Sequence, residues 1–283
     1  MNKFIWNASL LMKCRSTLIL LLFVSPLHAD EKSAALTLLL GNSGANLIIE
    51  EFVEEIALEQ VKSRITSSGK GGLSDVEKSL YLASFSLKYM NEEVHRAFMQ
   101  AFSLAEINAL ILFFDDVTIK KMLVADKHFG RSDGTISSKD YLRSIVNNPP
   151  SKKRILLIRE LVDVSLYVEQ KVYLSALITF EKNKTPKEYY GKYGEEEAQK
   201  LEHFIENYKQ NMVDSIRPEM RMVFMRMYDA FTDNEIELLI DLMKEKHRLR
   251  YQSVLVDALA KVMSEGIRRG ITAILEHREK PPL

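Results

Sequence analysis

The pair formed by Glu92 and His95 is the first feature of this sequence with the spacing of a metal site. A carboxylate and an imidazole three residues apart share one face of a helix, and di-iron bundles combine two such pairs with two further glutamates. No other histidine in the sequence has a glutamate three residues before it. We therefore interpret the pair as a surface contact, and the sequence predicts no metal ligand and no cofactor.

The segment 126–141 resembles the second half of a calcium-binding EF-hand loop. In that alignment Gly134 would allow the sharp turn, Ile136 would face the core, and Asp140 would occupy the last ligand position. Apolar helical stretches flank the segment on both sides, as they do in an EF-hand.

The first half of this segment does not fit a calcium loop. Its first and third ligand positions would be Phe129 and Arg131, which cannot bind calcium, and a start at Asp126 makes the loop three residues too long. An Asp-Gly turn followed by a helix cap from Ser137 to Asp140 explains the same residues. We favour the turn and cap, and retain a calcium-responsive module as the alternative function.

Motifs for common catalytic chemistry are missing from the sequence. It has no nucleophile elbow, no P-loop, no dinucleotide-binding glycine pattern and no zinc-protease H-E-x-x-H. Basic and acidic residues number 39 each, so no positive surplus is available for binding a phosphate backbone. We expect no catalytic residue and no nucleic-acid partner, although an enzyme assembled from scattered carboxylates and histidines remains a further alternative.

Residues 1–29 have the pattern of a signal peptide. Three basic residues and no acid precede an apolar run at 18–24, and Leu27-His28-Ala29 provides a cleavage site near Ala29. The lipid-bearing cysteine of a lipoprotein follows the apolar run, whereas Cys14 precedes it, so lipid anchoring is not expected. Translation could alternatively start at Met12. No later apolar stretch reaches the roughly 18 residues of a transmembrane helix. We expect a periplasmic or secreted chain without transmembrane segments, Cys or Trp.

Proline placement and apolar spacing predict an all-α fold. After residue 29, prolines occur only at positions 149, 150, 186, 218, 281 and 282, and long proline-free spans repeat apolar residues at helical spacing. The sequence predicts amphipathic helices in antiparallel, bundle-like packing, with breaks at 67–72, 130–134, 147–153 and 182–192. Methionines at 220, 222, 225 and 227 are predicted to be core or half-core, with an exposed groove for partner helices as the alternative.

Two stretches of the chain resemble each other. The segment from Ala101 to Ile107 matches the segment from Ala230 to Ile236 at an offset of 129, and a stretch from Leu47 matches one from Leu157 at an offset of 110. Two consecutive prolines at 149–150 mark the boundary between them. We predict a signal peptide at 1–29 and two tandem helical repeats at 30–147 and 148–283.

The matched segments share a capping pattern that folding alone explains. Ser103 with Glu106, and Thr232 with Glu235, have the spacing at which the hydroxyl and the carboxylate each satisfy a backbone N–H at a helix start. We therefore assign these four residues to structure and not to chemistry.

At these caps the sequence resembles the bacterial family called domain of unknown function 2059. The resemblance in the second repeat rests on Tyr228, Phe231, Thr232, Glu235, Leu238 and Leu239. In the first repeat it rests on Phe102, Ser103, Glu106, Leu110, Phe113, Phe114, Lys121 and Met122. It implies a helical fold and export, and no particular activity. We expect a non-enzymatic protein that binds another protein or a component of the cell envelope.

Overall fold

The regular elements of the described chain are all helices. The structure is a computed structural model that describes residues 30–50, 73–130, 141 and 145–279. The helices are α1 (30–42), α2 (45–50), α3 (Asp75–Ala83), α4 (Leu87–Ala101), α5 (Leu104–Asp115), α6 (Val117–Gly130), α7 (Lys152–Ser165), α8 (Tyr167–Tyr189), α9 (Glu195–Met227), α10 (Asp233–Met243) and α11 (Lys246–Glu279). The predicted all-α class is thus confirmed over these residues. The predicted signal peptide at 1–29, and residues 131–140 of the calcium-like segment, lie outside the described residues and remain predictions.

The predicted helix caps are present. At the start of α5 the Glu106 N–H donates to Ser103 Oγ at 3.3 Å, and the Ser103 N–H donates to Glu106 Oε2 at 2.7 Å. Thr232 and Glu235 repeat both distances at the start of α10. The backbone N–H groups at these helix starts therefore gain partners, as the S/T-x-x-E spacing requires.

Two prolines lie inside helices, which proline spacing alone did not predict. The predicted helix break at 182–192 begins too early in the chain, because α8 continues through Pro186 to Tyr189. Proline removes one backbone donor, and near the end of a helix that loss affects only the final turn. Pro218 lies inside α9, where packing of the surrounding residues on other helices maintains the helix.

Helix α11 is the central element of the fold. Its 34 residues extend about 51 Å at 1.5 Å per residue, long enough to contact two separate hydrophobic clusters. Tyr251, Leu255 and Leu259 belong to a large cluster that also includes residues of α1, α4–α10 and the caps. Met263, Ile267 and Ile271 belong to a second cluster with residues of α3 and α8.

The neighbours of α11 run in both directions along it. Glu93 contacts Lys261 at 3.1 Å, and Glu77 contacts Arg278 at 2.6 Å, so α3 and α4 are antiparallel to α11. In contrast, the contacts of Glu181 with Ser264 and of Tyr189 with Glu279 make α8 parallel to α11. The packing around α11 is therefore mixed in direction.

Two glycines allow α3 and α11 to approach closely. A Cβ at Gly266 would lie 2.6 Å from the ring of Phe85, and a Cβ at Gly270 would lie 2.6 Å from the ring of Tyr81. Such distances are well inside van der Waals contact, so the two aromatic rings occupy space that any other residue would fill.

One core joins the two predicted repeats. The large cluster contains Phe98 and Ile107 from the first predicted repeat, and Leu239 and Tyr251 from the second. The stretch 148–151 between them is not helical, as its prolines predict. The division into two repeats is a statement about sequence and remains a prediction, whereas the hydrophobic core is shared.

Candidate functional site

A cation from the second predicted repeat contacts the cap of α5. Arg250 on α11 donates to the Ala101 carbonyl and to the Glu106 carboxylate. Its guanidinium also lies 4.8 Å from the centroid of the Phe102 ring. A single arginine therefore contacts the backbone, the aromatic ring and the carboxylate of this cap, which lie more than a hundred residues earlier in the chain.

The cap of α10 receives the same set of contacts from the first predicted repeat. Lys121 on α6 donates to Glu235 Oε1 at 2.6 Å and to the Ala230 carbonyl at 3.3 Å, and its Nζ lies 4.4 Å from the centroid of the Phe231 ring. Corresponding residues of the two sets are always 129 positions apart: the two cations (250 − 121), and likewise the two cap glutamates (235 − 106). We call the two sets together the cap seam: Ala101, Phe102, Glu106, Arg250, Ala230, Phe231, Glu235 and Lys121.

The charges of the cap seam are engaged in these structural contacts. Lys121 and the cap hydrogen bonds of Thr232 lower the pKa of Glu235 to about 2. Hydrogen bonds from Ser103, together with the charge of Arg250, lower the pKa of Glu106. Carboxylates that remain ionised and paired do not serve as general acids or bases near neutral pH, so the seam fits a structural role.

A partly buried carboxyl lies near the cap seam. The Tyr228 hydroxyl donates to Asp126 Oδ1 at 2.9 Å, and joins α6 to the turn between α9 and α10. Burial raises the pKa of Asp126 to about 6, although the Tyr228 hydrogen bond acts in the opposite direction. Sequence reasoning considered Asp126 only as a first calcium ligand, whereas here one of its oxygens is already bound within the protein.

Glu92 and His95, the predicted surface pair, have separate partners in the structure. Glu92 lies 4.0 Å from Lys88, and His95 Nε2 lies 3.3 Å from Ser33 Oγ. Over the described residues, no group of three or more His, Cys, Asp or Glu side chains is arranged to hold a metal ion.

An open surface region of about 440 Å³ lies along the middle of α9. It is lined by Phe204, Asn207, Tyr208, Asn211, Met212 and Ser215, which we call the α9 strip. A groove of about 220 Å³ lies between α8 and α9. Helices α8 and α9 form an antiparallel hairpin, since Lys187 pairs with Glu197 at one end and Glu169 pairs with Arg217 at the other.

Sequence analysis did not predict the α9 strip, although a signal was present. Phe204, Tyr208 and Met212 recur every four residues, and Asn207, Asn211 and Ser215 form a second row beside them. The six strip residues are uncharged, although Lys200 lies one turn before Phe204 and Asp214 lies beside Ser215. The methionine segment next to it is mainly core: Met220 is buried, Met225 and Met227 pack against the large cluster, and Met222 is exposed.

The chain was compared with family models, with curated proteins and with solved structures, and none of the three comparisons found a match. Among the helices described, none is individually long and apolar enough to cross a membrane. The bent pair formed by Asp75–Ala101 and Leu104–Asp115, at an angle of 115°, has sufficient length and composition.

Proposed function

We propose that this protein is exported, loses residues 1–29, and acts in the periplasm or outside the cell as a non-enzymatic binding protein made of two tandem helical repeats. We also propose membership in the family called domain of unknown function 2059, on the residue pattern given above. The proposed partner is another protein or a component of the cell envelope.

The cap seam supports the tandem repeat. Two capped helices, two preceding phenylalanines and two contacting cations correspond at one constant separation of 129 residues. Each cation contacts the cap of the other copy. A duplicated unit explains this reciprocity, because a pair of identical units related by a two-fold axis exchanges equivalent contacts.

The α9 strip is the observation that carries the binding function. Exposed large apolar residues grouped with neutral polar side chains are typical of interaction sites, whereas single exposed apolar residues are common. Within the strip Phe204 is 49% exposed, and Tyr208 and Met212 beside it are partly buried. The lining contains no histidine, carboxylate or lysine, which are the residues that proton transfer most often uses.

Site-specific cross-linking in living cells tests this proposal. A photoreactive amino acid replaces Phe204 in one variant and Leu238 in a control variant. Leu238 is similarly exposed, at 47%, but lies on α10 away from the strip. We expect an adduct with an envelope component from position 204 and none from position 238. Equal labelling from both positions, or none from either, would contradict a binding surface on α9.

Export has a separate test. The mass of the intact protein recovered from cells should lack residues 1–29 and therefore contain no Trp, because Trp6 is the only tryptophan in the sequence. A mature protein that retains Trp6 would disprove the proposed cleavage near Ala29.

A further inference from the structure

The hairpin formed by α8 and the first part of α9, residues 167–217, covers one side of the second half of α11. Its two helices share a small cluster of their own and are joined by ion pairs at both ends. Apolar residues of the hairpin and of α11 meet at the contact: Leu174, Leu177 and Ile178 of α8, and Met263, Ile267 and Ile271 of α11. We call residues 167–217 the lid, because they cover this apolar face of α11.

One boundary of the lid is the bend between α7 and α8. Leu166 lies at this bend with φ of 59°, and it is the one non-glycine residue with a positive φ in the part of the chain that the structure describes. In the left-handed conformation the leucine Cβ crowds the following carbonyl oxygen, and glycine usually occupies such positions. The backbone at this boundary is therefore strained.

The bend between α1 and α2 makes the same turn without a leucine. Gly44, with φ of 73°, follows Ser43 as Leu166 follows Ser165. Each serine hydroxyl donates to the carbonyl three residues earlier and accepts from the N–H two residues later. The two bends have equivalent hydrogen bonds, so the strain at the lid boundary comes from the leucine and not from the turn.

The other boundary of the lid is Pro218, inside α9. Proline has no N–H to donate to the Asp214 carbonyl one turn earlier, and helices bend at such positions. The two boundaries lie side by side, because Glu169 and Arg217 form an ion pair of 2.5 Å next to them. Both chain connections of the lid therefore have a deformable point at the same end, which is the arrangement of a hinge.

The contact between the lid and α11 contains buried polar atoms without partners. Glu181 Oε2 and Thr185 Oγ1 are buried and accept no hydrogen bond, although the other oxygen of Glu181 accepts from Ser264 on α11. The two residues are one helical turn apart, so both lie on the face of α8 that is directed to α11. Water would hydrogen-bond to these atoms if the contact opened, and their desolvation therefore favours opening.

Other contacts favour the closed position. Arg248 Nη2 and Gln252 Nε2 donate to the Ser165 carbonyl at 3.0 and 2.9 Å and hold the bend at Leu166. Near the tip of the lid, the Tyr189 hydroxyl donates to Glu279 at 2.9 Å. These contacts and the apolar packing oppose the backbone strain and the missing hydrogen bonds, as the two states of a conformational equilibrium require.

From these features we infer that residues 167–217 are a lid that opens away from α11 about a hinge at Leu166 and Pro218. The hairpin moves as one body, and its tip near Tyr190 moves farthest. Opening relieves the strain at Leu166 and exposes the apolar face of α11 to solvent.

Pulsed electron paramagnetic resonance between two spin labels tests the hinge. Cys14, the only cysteine of the sequence, is replaced by serine, and labels are attached to Tyr190→Cys at the lid tip and His277→Cys near the end of α11, two exposed positions. We expect two distance populations, of which the longer belongs to the open lid. A control pair at the exposed positions Leu156 and Leu238 lies on α7 and α10, outside the lid, and should give one distance.

Three substitutions should shift these populations in opposite directions. Ile178→Ala weakens the apolar contact and should increase the ratio of open to closed lid roughly fivefold. Leu166→Gly permits the left-handed conformation without strain, and Pro218→Ala restores the missing N–H of α9, so each should reduce that ratio several-fold. The matched control is Pro186→Ala, which changes a proline that also lies inside a helix but near the lid tip, and should leave the ratio unchanged.

Several results would overturn the inference. A single distance between positions 190 and 277, both in the unsubstituted protein and in Ile178→Ala, would show that the lid does not open. An equal effect of Pro186→Ala and Pro218→Ala, or no effect of Leu166→Gly and Pro218→Ala, would refute the hinge. Two populations in the control pair would indicate a change throughout the molecule and not the movement of a lid. No partner takes part in these measurements, so their outcome is independent of cross-linking from position 204.

Discussion

The cap seam and the α8–α9 hairpin differ in how completely their residues are packed and paired. The seam lies on the large cluster, and its cations contact backbone carbonyls, carboxylates and rings together. The hairpin surrounds a cluster with only three buried apolar residues, Ala176, Leu201 and Ile205. Stability is unevenly distributed in such a molecule, and binding surfaces are commonly found in its less stable parts.

Buried polar atoms show the same difference. In α8, Glu181 Oε2 and Thr185 Oγ1 are buried without a hydrogen-bond partner, although Glu181 Oε1 accepts a hydrogen bond from Ser264. An unsatisfied buried polar atom costs about 1–3 kcal/mol. At the cap seam, in contrast, the cap carboxylates and hydroxyls have partners. We conclude that the seam stabilises the fold, whereas the hairpin retains features that reduce stability.

Removing a leucine from each region gives the largest contrast. Leu239 is fully buried in the large cluster, and Leu239→Ala should lower the free energy of unfolding by about 3–4 kcal/mol through lost contacts and a cavity. Leu201→Ala should cost less, about 2 kcal/mol, because the small hairpin cluster can collapse around the gap. Urea unfolding followed by circular dichroism measures both values.

Hydrogen exchange provides the control for this contrast. Leu201→Ala should reduce amide protection mainly in α8 and the first half of α9, and Leu239→Ala should reduce it throughout the protein. If the two substitutions cost the same and reduce protection to the same extent everywhere, the hairpin is not a separate, weaker region.

The partly buried carboxyl beside the seam, Asp126, gives the next largest effect. The pKa of Asp126 in the folded state is about 6, above its ordinary value of 3.8, so the folded state binds more protons between these values. Stability contributed by this group therefore falls as pH rises from about 4 to about 6. Asp126→Asn keeps an acceptor for Tyr228 but removes the partly buried charge, and should raise the free energy of unfolding at pH 7 by about 2 kcal/mol.

Unfolding midpoints at pH 4.5 and pH 7 check this prediction. The stability gained by Asp126→Asn should be larger at pH 7 than at pH 4.5, because the group destabilises the fold only where it is ionised. The matched control is Asp75→Asn, which changes an exposed carboxyl that pairs with Lys78 on the surface. An identical pH dependence in Asp126→Asn and the unsubstituted protein would show that Asp126 is not the titrating group.

The sequence predicted the local part of the seam and not its distant part. The capping boxes could be identified because Ser103 and Glu106 lie three residues apart and act within one helical turn. Lys121 and Arg250 could not be assigned to the opposite caps, since each lies more than a hundred residues from the cap it contacts. The one signal in the sequence was that Lys121 and Arg250 are 129 residues apart, the same separation as the two caps.

The α9 strip was missed for a different reason. Helical periodicity identifies one apolar face, and in α9 that face includes the buried Leu201 and Ile205 as well as the adjoining Phe204 and Tyr208. Whether a residue at the margin of an apolar face is buried or exposed depends on the neighbouring helix, which sequence periodicity does not specify. The all-α class, in contrast, follows from local spacing and was predictable.

Removing a cap hydroxyl gives a smaller effect within the seam. Ser103→Ala and Thr232→Ala each delete the acceptor for a backbone N–H, and each should lower the free energy of unfolding by about 1 kcal/mol. Because the capping hydrogen bonds themselves are the same at the two helix starts, we expect the two losses to agree within about 0.5 kcal/mol. Urea unfolding of both variants measures this, and a loss at only one cap would show that the two caps are not equivalent.

In the hairpin a helix cap can be added instead of removed, and this substitution should change stability the least. Helix α9 begins after Gly194, which has an extended backbone and provides no side-chain cap. A Cβ at this position would meet no atom within 4 Å, so Gly194→Ser can add a hydroxyl acceptor without a steric clash. We expect the added cap to raise stability by only a few tenths of a kcal/mol, the usual difference between glycine and serine at this position. Hydrogen exchange should show the gain in the first turns of α9. Equal protection gains in α5 and α10 would mean that the hairpin and the seam unfold together, and would contradict the difference between the two regions.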